Sequence, residues 1–237
     1  MQMNRISYGL NANQLKAIAV AAMVIDHAAA YLLPASFPFS WEMRLIGRIT
    51  APIMCFFIAE GYAHTSNLRR YALRLLFFAA VSHIPFLLLH GGLSHFFETT
   101  GVIWTLLMGL LALSFGKEER LPLWVRMGLV LACCVLAFPA DWGWIGVLWV
   151  FGFGMCRENK ARAAAVFSVV GALYIIRGLS APLSLFTVSR LGVFLSLPLL
   201  WLYNGKHGSR SRVLQASYYW FYPVHLLAIW GIRLLTL

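Results

Sequence analysis

The chain has 237 residues, of which 61% are hydrophobic and 11% charged, against roughly 25% charged in an ordinary soluble domain. A soluble globule needs a polar skin, and there is too little polar material here to make one. The 19 Lys and Arg against 8 Asp and Glu would point to nucleic acid in a soluble protein, but cytoplasmic loops of membrane proteins collect the same residues, so no nucleic-acid partner is expected.

Apolar runs near the ~20 residues that cross a hydrocarbon core fill almost the whole sequence. They predict an all-α, polytopic transmembrane protein, one domain over 1–237, with nine spans. The first, 13–33, contains Asp26 and His27. Ala28-Ala29-Ala30 imitates a signal-peptide cleavage site, but a cleavable segment has no use for two titratable residues, so the span is read as retained. Lys16, Val20, Met23 and His27 fall on one helical face, with Asp26 about 100° round it. The second span, 44–63, carries Arg48 and Glu60, and the third, 70–90, carries Arg74 and His83. Arg69 lies just before the third span and Arg70 opens it. Arg70 and Arg74 are one turn apart, which suits either an ordinary cytoplasmic loop or a clamp for phosphate oxygens.

The fourth, fifth and sixth spans are 100–115, 122–139 and 142–156. Pro139-Ala140-Asp141 makes the last two a tight hairpin, and Asp141 is read as a helix N-cap. The seventh is 161–178, the eighth, 182–203, holds Arg190, and the ninth, 215–236, holds His225. Pro223 should free a backbone carbonyl for that histidine. His90, His95 and His207 read as loop residues. Cys55, Cys133, Cys134 and Cys156 have no metal spacing and read as free thiols in apolar runs. No metal is expected. Trp and Tyr near the span ends, such as Trp41, Trp124 and Tyr218, fit an interfacial belt.

With the amino terminus in the cytoplasm, 14 of the 19 basic residues fall in inside segments: Arg5 and Lys16; Arg69, Arg70 and Arg74; Lys117, Arg120 and Arg126; Arg157, Lys160 and Arg162; Lys206, Arg210 and Arg212. That bias sets the expected orientation. A charge at the bilayer centre costs about 2.5–3.5 kcal/mol on insertion scales. The buried set Asp26, His27, Arg48, Glu60, Arg74, His83, Arg190 and His225 is therefore either glue between helices or a functional interior. Walker, dinucleotide-glycine, HExxH and Gly-x-Ser-x-Gly motifs are absent from the sequence.

Three blocks carry a resemblance: LKAIAVAAMVIDH, RLIGRITAPIMCFFIAEGYAHT and RRYALRLLFFAAVSHIPF, followed by WTLLMGLLAL, DWGWIGVL and FYPVHLL. In this order they resemble the TraX family, the F-pilin acetylase family of conjugation systems, most weakly over 157–215. More distantly, His27, Phe56-Phe57, Gly61 and Arg70/Arg74 are similar in order to membrane acyltransferases of the acyltransferase-three type, with Glu60 where that family often has Ser.

The resemblance implies a bacterial inner-membrane enzyme transferring acetyl from acetyl-coenzyme A (acetyl-CoA) to an acceptor amine, a pilin-like amino terminus or an amino sugar. His27 would be the general base, Asp26 and Glu60 would orient it or receive the amine, and Arg69, Arg70, Arg74 and Arg48 would hold the coenzyme. Arg190, His225, His83 and Asp141 complete the polar interior. An acetyl-histidine intermediate stays open. So do a proton-coupled transporter and a non-catalytic assembly protein.

Overall fold

The computed structural model describes residues 9–34, 36–178, 185–209 and 211–236, and these are helical, with two isolated bridges and no strand. Arg5 and Arg210, two of the basic residues assigned to inside segments, lie outside the described residues. The helices are α1 Ala12–Tyr31, α2 Ser40–Gly47, α3 Thr50–His64, α4 Leu68–His90, α5 Val102–Gly116, α6 Leu123–Leu136, α7 Gly143–Met155, α8 Lys160–Gly178, α9 Leu185–Val188, α10 Ser196–Trp201 and α11 Arg212–Thr236. Two 3-10 helices, Leu93–His95 and Ser189–Leu195, join them.

Most predicted spans coincide with single helices, α4 and α11 staying continuous through Pro85 and Pro223, since an apolar medium leaves the backbone to satisfy its own hydrogen bonds. Among the described residues, three segments are long and apolar enough to cross a membrane: Ser40–His64, Leu68–His90 and Lys160–Gly178. Shorter apolar helices cover Val102–Gly116, Leu123–Leu136, Gly143–Met155 and Ser189–Trp201. Large apolar side chains on the outside, among them Leu131 and Val135 of α6 and Val169 and Ile176 of α8, are exposed. A surface this apolar is what a lipid-facing wall requires.

At its core α5 packs against α3, α4, α6 and α7, with Leu110, Ala112 and Leu113 fully buried. Small residues let apolar helices approach closely. A β-carbon on Gly109 would strike Val150, and one on Gly154 would strike Leu113, so the α5–α7 seam has room for hydrogen only.

Two predicted spans are not continuous helices. The second divides into α2 and α3, and the eighth into α9, a 3-10 segment and α10. The broken stretches lie against each other, with Gly192 seated on the Leu45 carbonyl. Irregular backbone at membrane depth is tolerated when protein covers it. The break between α2 and α3 falls beside α1, where a β-carbon on Gly47 would run into Asp26. It therefore aims Arg44 and Arg48 inward.

Candidate active site

A cavity of about 710 Å³ follows α1 for its whole length, lined by residues from Ala12 to Tyr31. At 1.5 Å rise per residue that is about 28 Å. The face that helical periodicity assigns to Lys16, Val20, Met23 and His27 does line it, and so does Asp26.

One end, called the mouth because its lining residues His64, His207 and Ser209 are exposed, lies beside Asn13, where α1 begins after a capping box made by Asn11 and Gln14. Lys16, His64, Arg74, His207, Tyr71 and Tyr219 line the wall in this part. The cations here rest on aromatic faces. Lys16 Nζ sits 4.9 Å from the Phe57 ring centre, and the Arg74 guanidinium 4.9 Å from that of Tyr219 and 5.3 Å from that of Tyr71. Arg69 and Arg70 are exposed on the first turn of α4 and do not line the cavity. Arg74 is the member of the expected clamp that does.

His27 lies fourteen residues beyond Asn13, about 21 Å along the helix. Its Nδ1 is 2.7 Å from Nε2 of His225. The ring planes are 6° apart with centroids at 4.9 Å; the short N···N distance makes this an edge-to-edge hydrogen bond rather than face stacking. His225 Nδ1 in turn meets the Phe221 carbonyl at 2.9 Å. This corrects one expectation, since the carbonyl that Pro223 frees four residues back is that of Tyr219, and His225 uses another.

The far end holds Tyr31, Arg44, Arg48, His90, Asp141 and Trp142. Tyr31 Oη is 2.5 Å from His90 Nε2, while His90 Nδ1 meets the Phe86 carbonyl at 2.9 Å. Asp26 Oδ1 is 3.0 Å from Arg44 Nη1, but out of line for a hydrogen bond. Nη1 donates instead to the Asp26 backbone carbonyl at 3.3 Å, so the carboxylate is held by charge. The Arg48 guanidinium lies 5.6 Å from the Trp142 ring centre, and its Nε is buried without a hydrogen-bond partner among the described residues. Asp141 is not the cap of α7. Trp142 holds that position at φ 66°, a left-handed conformation uncommon for a bulky residue, and Asp141 faces the cavity. His90 and His207, read from sequence as loop residues, both line the wall.

Besides Arg69 and Arg70, three expected site residues are placed elsewhere. Glu60 accepts from Arg157 Nε at 2.7 Å and lies off the cavity wall. Its carboxylate raises the Arg157 guanidinium above its ordinary value. Arg190 donates to the Tyr174 carbonyl at 3.2 Å and stacks on that ring. His83 meets the Phe96 carbonyl at 2.9 Å and tethers the α4–α5 loop. Arg44, Lys16, Tyr31 and His90 were not marked as site residues in the sequence. The signal was present for Lys16 and Tyr31, which continue the His27 face by steps of three and four.

Similarity to known proteins extends over nearly the whole chain. The TraX protein family model matches residues 11–233. A probable fimbrial assembly protein FimC, serogroup H1, of Dichelobacter nodosus is 34% identical over 233 residues, covering 91% of this chain and 93% of that protein. An uncharacterized protein of Rickettsia prowazekii (strain Madrid E) is 46% identical over 48 residues, 20% of this chain and 18% of that one. No solved structure matches. The match runs from the first turn of α1 to the last turn of α11, and the chain belongs to the TraX family.

Proposed function

We propose that the protein is an integral-membrane acetyltransferase that moves an acetyl group from acetyl-CoA to an acceptor amine, with His27 as general base. The observation that carries this reading is the continuity of the cavity, which joins a cationic, aromatic mouth to a histidine about 21 Å inside. The coenzyme has a polyanionic head and a long flexible arm ending in the thioester. Lys16 and Arg74 suit the phosphates, with Arg69 and Arg70 adding field from outside, while Phe57, Met54 and Ile58 give the arm an apolar wall. A thioester is already activated, so the reaction needs mainly a base and correct placement.

In this reading the chain crosses the bacterial inner membrane nine times, with the amino terminus and the cavity mouth in the cytoplasm, where the coenzyme is made. The acceptor enters from the far end, where Asp26 and Asp141 can receive an ammonium group and Arg48 offers a donor. The relative's description as a fimbrial assembly protein favours a pilin-like amino terminus over an amino sugar.

The test is direct. Purified protein in nanodiscs should bind acetyl-CoA, hydrolyse it slowly, and transfer radiolabelled acetyl to a peptide amine. Absence of coenzyme binding would end the proposal. A cavity as long as α1 also suits a proton-coupled carrier. That alternative predicts solute uptake in proteoliposomes and no response to acetyl-CoA.

A further inference from the structure

His27 lines the cavity, but its partner His225 does not. His225 is 7% exposed and sits behind His27 on α11. Its ring stacks on Phe221 at 4.9 Å and 10°, which holds its orientation. A backbone carbonyl can only accept a hydrogen bond. The 2.9 Å contact to the Phe221 carbonyl therefore requires the His225 proton on Nδ1. In a neutral imidazole the other nitrogen is then bare, so His225 Nε2 must accept, and His27 Nδ1, 2.7 Å away, must donate. That leaves His27 Nε2 without a proton. One carbonyl thus fixes the tautomers of two rings in series.

We propose that His225 is a positioning residue for the transfer reaction: it locks His27 in the Nδ1–H tautomer and presents the bare Nε2 as the proton acceptor. This rests on the acetyltransferase reading. In the step, the acceptor ammonium first gives one proton to the carboxylate that receives it; the free amine nitrogen then bonds to the thioester carbonyl carbon and a second proton passes to His27 Nε2. The carbon–sulfur bond breaks, and the proton is returned to the departing sulfur, releasing coenzyme A as the thiol. While His27 is an imidazolium, its Nδ1–H bonds to the neutral His225 Nε2, which disperses the charge without a carboxylate in contact. The arrangement parallels the acid that orients the base histidine in a hydrolase triad, where loss of the correct tautomer lowers kcat by about 10⁴-fold.

The experiment pairs two variants with a spectroscopic readout. His225→Leu removes the acceptor. His225→Gln places an amide oxygen where Nε2 was. The expected result is a kcat lower by roughly 10²–10⁴-fold in His225→Leu with KM for acetyl-CoA unchanged, and substantial recovery in His225→Gln. In ¹⁵N-histidine spectra of the wild-type protein, the ring assigned by its loss in His27→Asn should show a protonated Nδ1 and an unprotonated Nε2. A protonated Nε2 on His27 in the wild type would overturn the proposal. So would a His225→Leu kcat within twofold of wild type, or a loss that His225→Gln fails to restore while coenzyme affinity is intact. If His225→Leu does not fold, the wild-type spectrum and His225→Gln decide. If the wild type binds no acetyl-CoA, the enzymatic reading fails, and the spectrum still decides whether the ring pair holds the stated tautomers.

Discussion

The two ends of the cavity use charge in opposite ways. At the mouth, Lys16 and Arg74 have no carboxylate beside them on the cavity wall among the described residues and lean on aromatic faces. Such cations are available to an incoming anion. At the far end, Arg44 and Arg48 face Asp26 and Asp141, two against two, and each histidine ring is bonded on both nitrogens or presents one to the cavity. In the proposed acetyltransferase, the mouth would attract an anion and the far end would hold a proton in a defined place. Uncompensated charge gives affinity, whereas compensated, hydrogen-bonded charge gives geometry.

Substitutions at the two ends should therefore separate affinity from chemistry. The largest effect is expected for His27→Ala, a fall in kcat of at least 10²–10⁴-fold with acetyl-CoA affinity retained by calorimetry. An equal loss of affinity would erase the distinction between the ends. Next is Asp26→Ala, which leaves Arg44 without its counter-ion. Breaking a buried pair costs about 3–5 kcal/mol, and this one retains some solvent, with side chains 21% and 14% exposed, so the lower part of that range is expected as a reduced unfolding free energy in detergent. An unchanged melting profile would show that the far end is not held by charge.

At the mouth, Lys16→Met or Arg74→Gln should weaken acetyl-CoA binding by about 10–100-fold, the worth of one charge-assisted hydrogen bond, with kcat at saturation unaltered. A kcat effect there would place chemistry at the wrong end. The smallest effect belongs to Glu60→Gln. The Glu60–Arg157 pair is partly exposed on the arginine side, and exposed pairs contribute about 0–1 kcal/mol. The unfolding free energy should fall by no more than about 1 kcal/mol, with saturated turnover unchanged; a large loss of turnover would return Glu60 to the reaction.

The contrast between Glu60 and Lys16 shows where sequence reading stops. Both are charges in apolar runs, and the cost of burial alone does not tell them apart. Glu60 is diverted by Arg157, 97 residues away, whereas Lys16 shares the His27 face and follows it into the cavity. His90 shows the same limit, since it ends α4 and reads as loop until Tyr31, 59 residues away, meets it.

By itself the sequence determined the apolar, helical character, the positions of the unbroken helices to within a few residues and the polar face of α1. Composition, run length and a 3.6-residue period are local properties. The tertiary structure decided which faces meet. It broke the second and eighth spans where Gly47 and Gly192 allow close approach, turned Arg44 and Arg48 inward, and brought His225 to His27 across 198 residues. Hydrogen bonds between distant helices depend on how those helices pack, and no local pattern encodes that pairing.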